Sequence, residues 1–276
     1  MFRVHRTRTP LQSAIYTCEL IFHTAVRSIR SVHSNAVVAL LYSILHIVVF
    51  VGVFYLFFQV LGLRSIALRG DFLVFLMTGV FLFLTFNKSL SAVTSAEGPT
   101  SAMMQHGPMN TAISIAAAML GILYIQILSV FLVFFVYDVA FKPNELREVF
   151  DPIGCLAMLL LAWFAGSAIG LVFLAIKPWA PKLIGIVETV FTRFNMIASG
   201  KMLVVNSLPG YLLPYFDWNP LFHVIDQSRG YAFLNYSPRY TSWEYALYVG
   251  IACIVLGMLG EFYTRKHMSA SWTAGK

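Results

Sequence analysis

Long apolar segments limit what this chain can fold into more than any other feature of its sequence. An α-helix needs about 20 mostly apolar residues to cross a bilayer. Six segments meet this requirement: residues 37–62, 71–93, 111–137, 152–176, 182–205 and 243–263. Hydrophobic residues make up 59% of the chain and charged residues 11%, whereas roughly 25% of a soluble domain is charged. The sequence therefore predicts an all-α membrane protein with six transmembrane helices.

The distribution of Lys and Arg predicts the orientation of these spans, because cytoplasmic loops are enriched in both residues. An even number of spans places both termini on one side. That side holds 11 Lys and Arg residues: Arg3, Arg6, Arg8, Arg27, Arg30, Lys88, Lys177, Lys182, Arg265, Lys266 and Lys276. The other side holds 7: Arg64, Arg69, Lys142, Arg147, Lys201, Arg229 and Arg239. We therefore expect both termini in the cytoplasm. The basic residues of this chain do not cluster on one face of a soluble domain, so the sequence does not indicate nucleic-acid binding.

Residues 10–34, within the cytoplasmic N-terminus 1–35, predict an amphipathic helix on the membrane surface. Pro10 can open a helix, and apolar residues then recur at steps of three and four: Leu11, Ile15, Cys18, Ile21, Phe22, Ala25, Val26 and Ile29. Arg27 and Arg30 lie outside this stripe. The helix either transmits motion from a partner or serves as an inert surface anchor.

The cytoplasmic loop 94–110, "TSAEGPTSAMMQHGPMN", contains two Gly-Pro pairs that bracket a short helical pattern. Gly-Pro pairs mark turns, so we predict a coupling helix at about 95–108. Met103 and Met104 are adaptable apolar side chains that suit a protein-binding surface. The alternative is an ordinary connector, although connectors between packed helices are commonly about 2–8 residues long.

Residues 206–242 combine apolar character with four prolines, Pro209, Pro214, Pro220 and Pro238. Proline at this density prevents one continuous helix. We expect short re-entrant helices that enter the membrane from outside. Irregular backbone at that depth is tolerated only where protein or a water-filled cavity covers it.

Two spans carry side chains that could line a pathway. Glu188 and Arg193 lie in the fifth span, where a charge at mid-bilayer costs about 2.5–3.5 kcal/mol. They either face a polar pathway or lie near the interface and extend towards it. The first span carries an aromatic stripe, which either lines a pathway, faces lipid or packs in the core: Tyr42, His46, Phe50, Phe54, Phe57 and Phe58. Gly166 and Gly170 form a GxxxG pattern typical of close helix packing.

The sequence gives no reason to expect catalysis on this chain. "NMIASGKM" at residues 195–202 lacks the first glycine and the Ser or Thr of a phosphate-binding loop. Cys18, Cys155 and Cys253 are isolated, so neither a disulfide framework nor a metal site is predicted. We therefore expect no cofactor on this chain, and energy, if the chain uses any, would arrive from another chain through the cytoplasmic docking elements.

This layout resembles the permease subunits of ABC-2 type exporters, in particular the polysaccharide branch. "DFLVFLMTGVFLFLTFNKSLSAV" is similar to that branch's second span, and "LGEFYTRKHMSAS" to its basic tail. The stretch 197–233 is similar to the pattern S-G…L-P…N-P-L-x-H-x-x-x-x-x-R. It is matched by Ser199, Gly200, Leu208, Pro209, Asn219, Pro220, Leu221, His223 and Arg229. The chain lacks the R-Y and L-G-x-x-W elements that usually precede the first span.

The resemblance implies a permease of the bacterial inner membrane that exports a lipid-linked polysaccharide, either a capsular polysaccharide or an O-antigen. It implies a six-span domain at 36–265 with a short cytoplasmic tail at 266–276. The chain would be a transport subunit without a cofactor of its own. Its partners would be a second copy of the chain, two copies of a separate ATPase that binds ATP and Mg, the lipid-linked glycan, and periplasmic or outer-membrane export proteins. Alternatives are an ABC-2 exporter of teichoic acid, lipid or drug, or a membrane-embedded glycan-modifying enzyme.

The resemblance also assigns roles to residues. The substrate channel would be lined by Tyr42, Phe50, Phe54, Phe57, Phe191, Arg193 and Phe194. The periplasmic gate helices, at about 206–242, would include Pro209, Trp218, Asn219, Pro220, His223, Asp226 and Arg229. The ATPase interface would include Glu97, Met103, Met104, Gln105, His106, Arg27 and Arg30. Asp226 and Arg229 are three residues apart and could pair on one helix face.

Overall fold

A computed structural model describes residues 10–32, 35–62, 71–98, 110–140 and 149–267. These residues form α-helices and short 3-10 turns, without a strand among them. The helices are α1 (Pro10–Val32), α2 (Ala36–Val60), α3 (Phe72–Thr94), α4 (Thr111–Ala140), α5 (Pro152–Ile176), α6 (Pro181–Ala198), α7 (Pro220–Ala232) and α8 (Trp243–His267). Two 3-10 turns, Val205–Ser207 and Leu213–Tyr215, lie between α6 and α7.

Several helices begin where a polar side chain accepts hydrogen bonds from N–H groups of the first turn, which otherwise lack partners. The carboxylate of Asp71 accepts from the Leu73 N–H at 2.7 Å, at the start of α3. Asp151 does the same for α5, where Pro152 follows as the first helical residue. Asn35 and Asn219 cap α2 and α7 in the same way. These caps set the start of three predicted spans and of the short helix α7.

Five of these helices are long and apolar enough to cross a membrane: α2, α3, α4, α5 and α8. They coincide with predicted spans one to four and six, and they support a multi-pass helical membrane protein. Helix α6 corresponds to the predicted fifth span but is not among the five. It has 18 residues and ends at Ala198, so the predicted extension to residue 205 is wrong. The backbone turns at Gly200, whose φ is +63°.

Helix α3 is the centre of the bundle, because most of its side chains are buried against other helices. Its closest neighbour is α5. A Cβ on Gly166 would lie 2.3 Å from the Phe86 carbonyl oxygen, and one on Gly170 would lie 2.5 Å from the Leu90 carbonyl oxygen. Only glycine allows the two backbones to approach so closely. The GxxxG pattern therefore marks a real packing face between α3 and α5.

Helix α1 confirms the helix predicted at the N-terminus and lies against α4. Ala25 is buried, whereas Leu11, Ile15 and Phe22 are exposed within the described residues. An exposed apolar face on a helix next to membrane spans fits a location at the membrane surface.

Some of the predicted features lie outside the described residues. The predicted coupling helix at about 95–108 falls largely in the range 99–109, which includes Met103, Met104, Gln105 and His106. Residues 1–9 and most of the tail lie outside as well, as does the side chain of Arg30.

Candidate functional site

The predicted gate region 206–242 forms a polar network centred on α7, and Arg229 is its largest buried member. Arg229 Nη1 donates to the carbonyls of Gly200, at 3.2 Å, and Leu203, and Nη2 donates to the carbonyl of Lys201. The guanidinium also lies 4.1 Å from the Phe75 ring centroid. Burial lowers the Arg229 pKa to about 10, so the group stays charged at neutral pH. Arg229 therefore binds three backbone carbonyls that would accept N–H hydrogen bonds within the helix if α6 continued past Ala198.

Asp226 connects α7 to the segment that leads into α8. Its carboxylate accepts hydrogen bonds from the hydroxyl of Tyr236 and from that of Thr241 at 2.7 Å. Burial raises the pKa of Asp226, while these hydrogen bonds and the charge of Arg229 act in the opposite direction. The predicted ion pair between Asp226 and Arg229 is not found among the described residues, since each side chain bonds to partners in other segments.

His223 joins both flanks of α7. The Ser242 N–H donates to Nδ1 at 3.1 Å, so neutral His223 carries its proton on Nε2. That nitrogen lies 2.7 Å from the Asp217 carbonyl oxygen and 3.2 Å from the Asp217 carboxylate. Its ring lies 4.5 Å from the Tyr245 ring, measured between centroids. The imidazole therefore links the residues that precede α7 to the residues that precede α8.

The end of α6 is joined to the start of α7 by two contacts. Asn219 Nδ2 donates to Asn195 Oδ1 at 2.9 Å, and both side chains are buried. Phe194 stacks on Trp218 at 5.4 Å between centroids. Pro220 is the first residue of α7, and Pro209 is exposed between the two 3-10 turns. The part of the predicted gate helices that precedes Asn219 is therefore present only as these two 3-10 turns.

The aromatic stripe of α2 forms a continuous row of rings. Ring centroids are 6.3 Å apart for Tyr42 and His46, 5.5 Å for His46 and Phe50, and 5.4 Å for Phe50 and Phe54. Phe50 also stacks on Phe83 of α3. Phe54 is buried, whereas Tyr42 and Phe57 are exposed. The predicted channel residues on α2 therefore divide between a packed face and an exposed one.

Lys201, which follows the turn at Gly200, covers the packed part of this stripe. Its Nζ lies 3.4 Å from the Phe83 ring centroid, 5.3 Å from that of Phe54 and 5.5 Å from that of Phe50. The residue is 2% exposed, and Nζ has no hydrogen-bond partner among the described residues. Electrostatic attraction to the ring faces is its main stabilising interaction. From the sequence, Lys201 was counted only as a charge on the less basic side of the membrane and as part of a rejected phosphate loop.

Helix α6 holds the remaining predicted channel residues and has few contacts with the rest of the chain. Only Ile184, Asn195 and Ala198 are buried among its residues. Arg193 and Phe194 are exposed, Glu188 is half-buried, and Phe191 meets Phe173 edge-on at 5.8 Å. The charged residues of α6 therefore lie on a surface that the described part of this chain does not cover.

The residues assigned to the ATPase interface are only partly described. Glu97 is exposed, and its backbone N–H donates to the Ser114 hydroxyl at 3.1 Å. Arg27 is exposed on α1. Both residues are accessible on this chain, but the segment that would join them into one surface lies outside the described residues.

A second polar network was missed by the sequence reasoning. Lys88 of α3 donates to the Ser43 hydroxyl at 2.9 Å and to Gln126 Oε1 at 3.3 Å. Gln126 Nε2 in turn donates to the Thr85 hydroxyl at 3.3 Å. The available signal was four polar residues inside apolar spans, but Lys88 was interpreted only as a cytoplasmic charge.

Comparison with known proteins adds no assignment: no protein-family model matches the chain, and no curated protein matches it. Within the part of the chain that the structure describes, no group of three or more His, Cys, Asp and Glu residues could hold a metal ion.

Proposed function

We propose that the chain is the permease subunit of an ATP-driven ABC-2 type exporter that moves a lipid-linked polysaccharide across the bacterial inner membrane. In this proposal α6 is the fifth span, two copies of the chain form the conduit, and a separate ATPase hydrolyses ATP. Residues 206–242 close the conduit on the periplasmic side.

One observation carries the proposal, namely the uncovered surface of α6. A charged side chain within a membrane is costly unless protein or water covers it. Arg193 is exposed on a helix that few residues of its own chain contact. A second copy of the chain would cover this surface of α6 with protein, and a shared aqueous conduit would expose the charge to water.

The aromatic rings of α2 and α6 support a glycan as the substrate. Sugars carry polar hydroxyls and apolar C–H faces, and aromatic rings bind such faces without holding them by fixed charges. Transport requires binding weak enough to allow release. Tyr42 and Phe57 on α2 and Phe194 on α6 expose rings of this kind.

Cysteine cross-linking tests the dimer. In full-length protein with the three native cysteines replaced by serine, Ile186→Cys on exposed α6 should form a covalent dimer in native membranes under mild oxidation. Leu259→Cys, which is equally exposed on α8, is the matched control and should remain monomeric. Cross-linking at residue 259 but not at 186 would contradict the proposed arrangement.

Loss of the gene in its host tests the activity. We expect surface polysaccharide to disappear while lipid-linked polysaccharide accumulates inside the cell, and the wild-type chain should restore export. The same chain should co-purify with an ATPase and change its rate of ATP hydrolysis. Normal surface polysaccharide in the deletion strain would refute the proposal.

A further inference from the structure

A cavity under the interfacial helix holds a lysine side chain that no carboxylate of the described residues neutralises. The cavity has a volume of about 210 Å³ and lies between α1, α2, α3 and α4, with Ser28, Tyr42, Ser43 and Lys88 as its polar lining. Among the described residues no Asp or Glu oxygen lies within 4.0 Å of Lys88 Nζ. Its known partners are a hydroxyl and an amide oxygen. A cation buried in this way is stabilised further by an anion.

Lys88 lies near one end of a predicted span. It lies six residues before Thr94, the last residue of α3, which is about 9 Å along the helix axis. Ser28 and Ile29 of α1 line the cavity. Basic pockets between membrane helices near the bilayer surface bind the phosphates of anionic lipids.

An apolar groove adjoins the cavity. It has a volume of about 530 Å³ and lies between α1 and α4, with Cys18, Phe22, Leu120 and Tyr124 in its lining. Ile29 and Gly121 line both spaces. A polar space with one cation that continues into an apolar groove is suited to a molecule with a phosphate and a hydrocarbon chain.

We propose that α1, α2, α3 and α4 form a binding site for an anionic phospholipid, in which Lys88 contacts the phosphate and the α1–α4 groove holds an acyl chain. The bound lipid would fix α1 against α4. The site lies apart from α6 and α7 and shares only Tyr42 with the proposed glycan surface, so lipid binding does not depend on the proposed transport activity.

Lipid titration of the full-length protein tests the site. Purified protein in neutral detergent is titrated with phosphatidylglycerol or with phosphatidylcholine that has the same acyl chains, and bound lipid is counted by native mass spectrometry. We expect phosphatidylglycerol to be retained preferentially. Lys88→Met should weaken that preference about five- to tenfold, as expected for one lost lysine–phosphate contact, whereas Lys88→Arg should keep it.

Two controls make the test decisive. Lys182→Met removes an exposed cation from α6 and should leave the preference unchanged. Gly121→Leu keeps Lys88 and places a side chain at the junction of the two spaces, where the nearest atom to a Cβ is an Ile29 carbon at 3.6 Å. It should abolish retention of the lipid. This second variant decides the question even if Lys88→Met does not fold.

Inorganic phosphate distinguishes a lipid from a free anion. Protection of the wild-type protein against thermal unfolding by millimolar phosphate, equal to that by phosphatidylglycerol, would show a free-anion site and overturn the proposal. Equal retention of both lipids, or unchanged preference in Lys88→Met and Gly121→Leu, would also overturn it.

Discussion

Helices α6 and α7 follow each other in the chain and both carry charged residues, but their surroundings are opposite. In α7, Asp226 and Arg229 are fully buried and bonded to two other segments, the turn after α6 and the segment between α7 and α8. In α6, Lys182 and Arg193 are exposed and only three residues are buried. The charges of α7 therefore stabilise this chain, whereas those of α6 face whatever lies next to it. A charged residue in a membrane sequence can indicate either a contact within the chain or a surface for another molecule. Only the contacts that the side chain makes in the structure distinguish the two.

The largest expected effect is the removal of the Arg229 guanidinium. Arg229→Met removes the guanidinium that donates to the carbonyls of Lys201 and Leu203, whereas the Gly200 carbonyl keeps the Leu203 N–H at 3.0 Å. Because the site is otherwise buried, we expect the free energy of unfolding to fall by about 3–5 kcal/mol. Chemical unfolding in mixed micelles, followed by tryptophan fluorescence, measures it. The matched variant Arg193→Met on α6 should leave stability unchanged but weaken dimer cross-linking. Similar losses of stability in both variants would remove the distinction between the helices.

A smaller effect on the free energy of unfolding is expected when the Asp226 carboxylate is replaced by an amide. Asp226→Asn replaces two acceptor oxygens with one, while the hydroxyls of Tyr236 and Thr241 both donate there. We expect a loss of about 1–3 kcal/mol in the same unfolding measurement. Glu188→Gln on α6 is the control and should unfold like the wild type. A stable Asp226→Asn protein would show that the carboxylate is not needed to join α7 to α8.

The two glycines at residues 185 and 200 should respond with opposite sign. Gly200 has φ +63°, and a Cβ there would lie 2.6 Å from the Phe222 ring, so Gly200→Ala should cost about 1–2 kcal/mol from backbone strain alone. Gly185 lies inside α6, and apart from its chain neighbours and the nearby backbone of α6 no atom of the described residues lies within 4 Å of the position that a Cβ would take. Gly185→Ala should therefore stabilise the protein by about 0.5–1 kcal/mol through helix propensity. Destabilisation by Gly185→Ala would mean that a neighbouring molecule packs against that position.

The sequence predicted the spanning helices well, because hydrophobic length and polar caps are local properties. Asp71 and Asp151 mark the starts of α3 and α5, and each span end lies close to its predicted position. The end of α6 could not be predicted in this way. Gly200, at φ +63°, follows the last turn of α6 and is a common local signal for a helix end, which the apolar run to residue 205 obscured. Arg229, which lies 28 residues after Lys201, donates to its carbonyl, and such a distant contact leaves no local signal.

The candidate site shows the same limit. The aromatic stripe of α2 was visible in the sequence, but its burial against Phe83 and Lys201 depends on how α3 and the turn after α6 pack. The roles of Asp226 and His223 were predicted as parts of a gate, and the structure adds the partners that hold them. Lys88, Ser43 and Gln126 come from three helices, so their proximity follows only from the tertiary fold.

The smallest effect is expected at Lys201, which lies between the two helices compared here. Its Nζ has no oxygen partner among the described residues and is surrounded by phenylalanine rings. Lys201→Met loses a cation–π attraction of about 2 kcal/mol but also removes the cost of burying a charge. These terms oppose each other, so stability should change by less than about 1 kcal/mol, in contrast to Arg229→Met. If Lys201→Met lowered the free energy of unfolding as much as Arg229→Met, Lys201 would have to bind a partner outside the described residues. The turn after α6 would then be held by two interactions, that of Lys201 and that of Arg229.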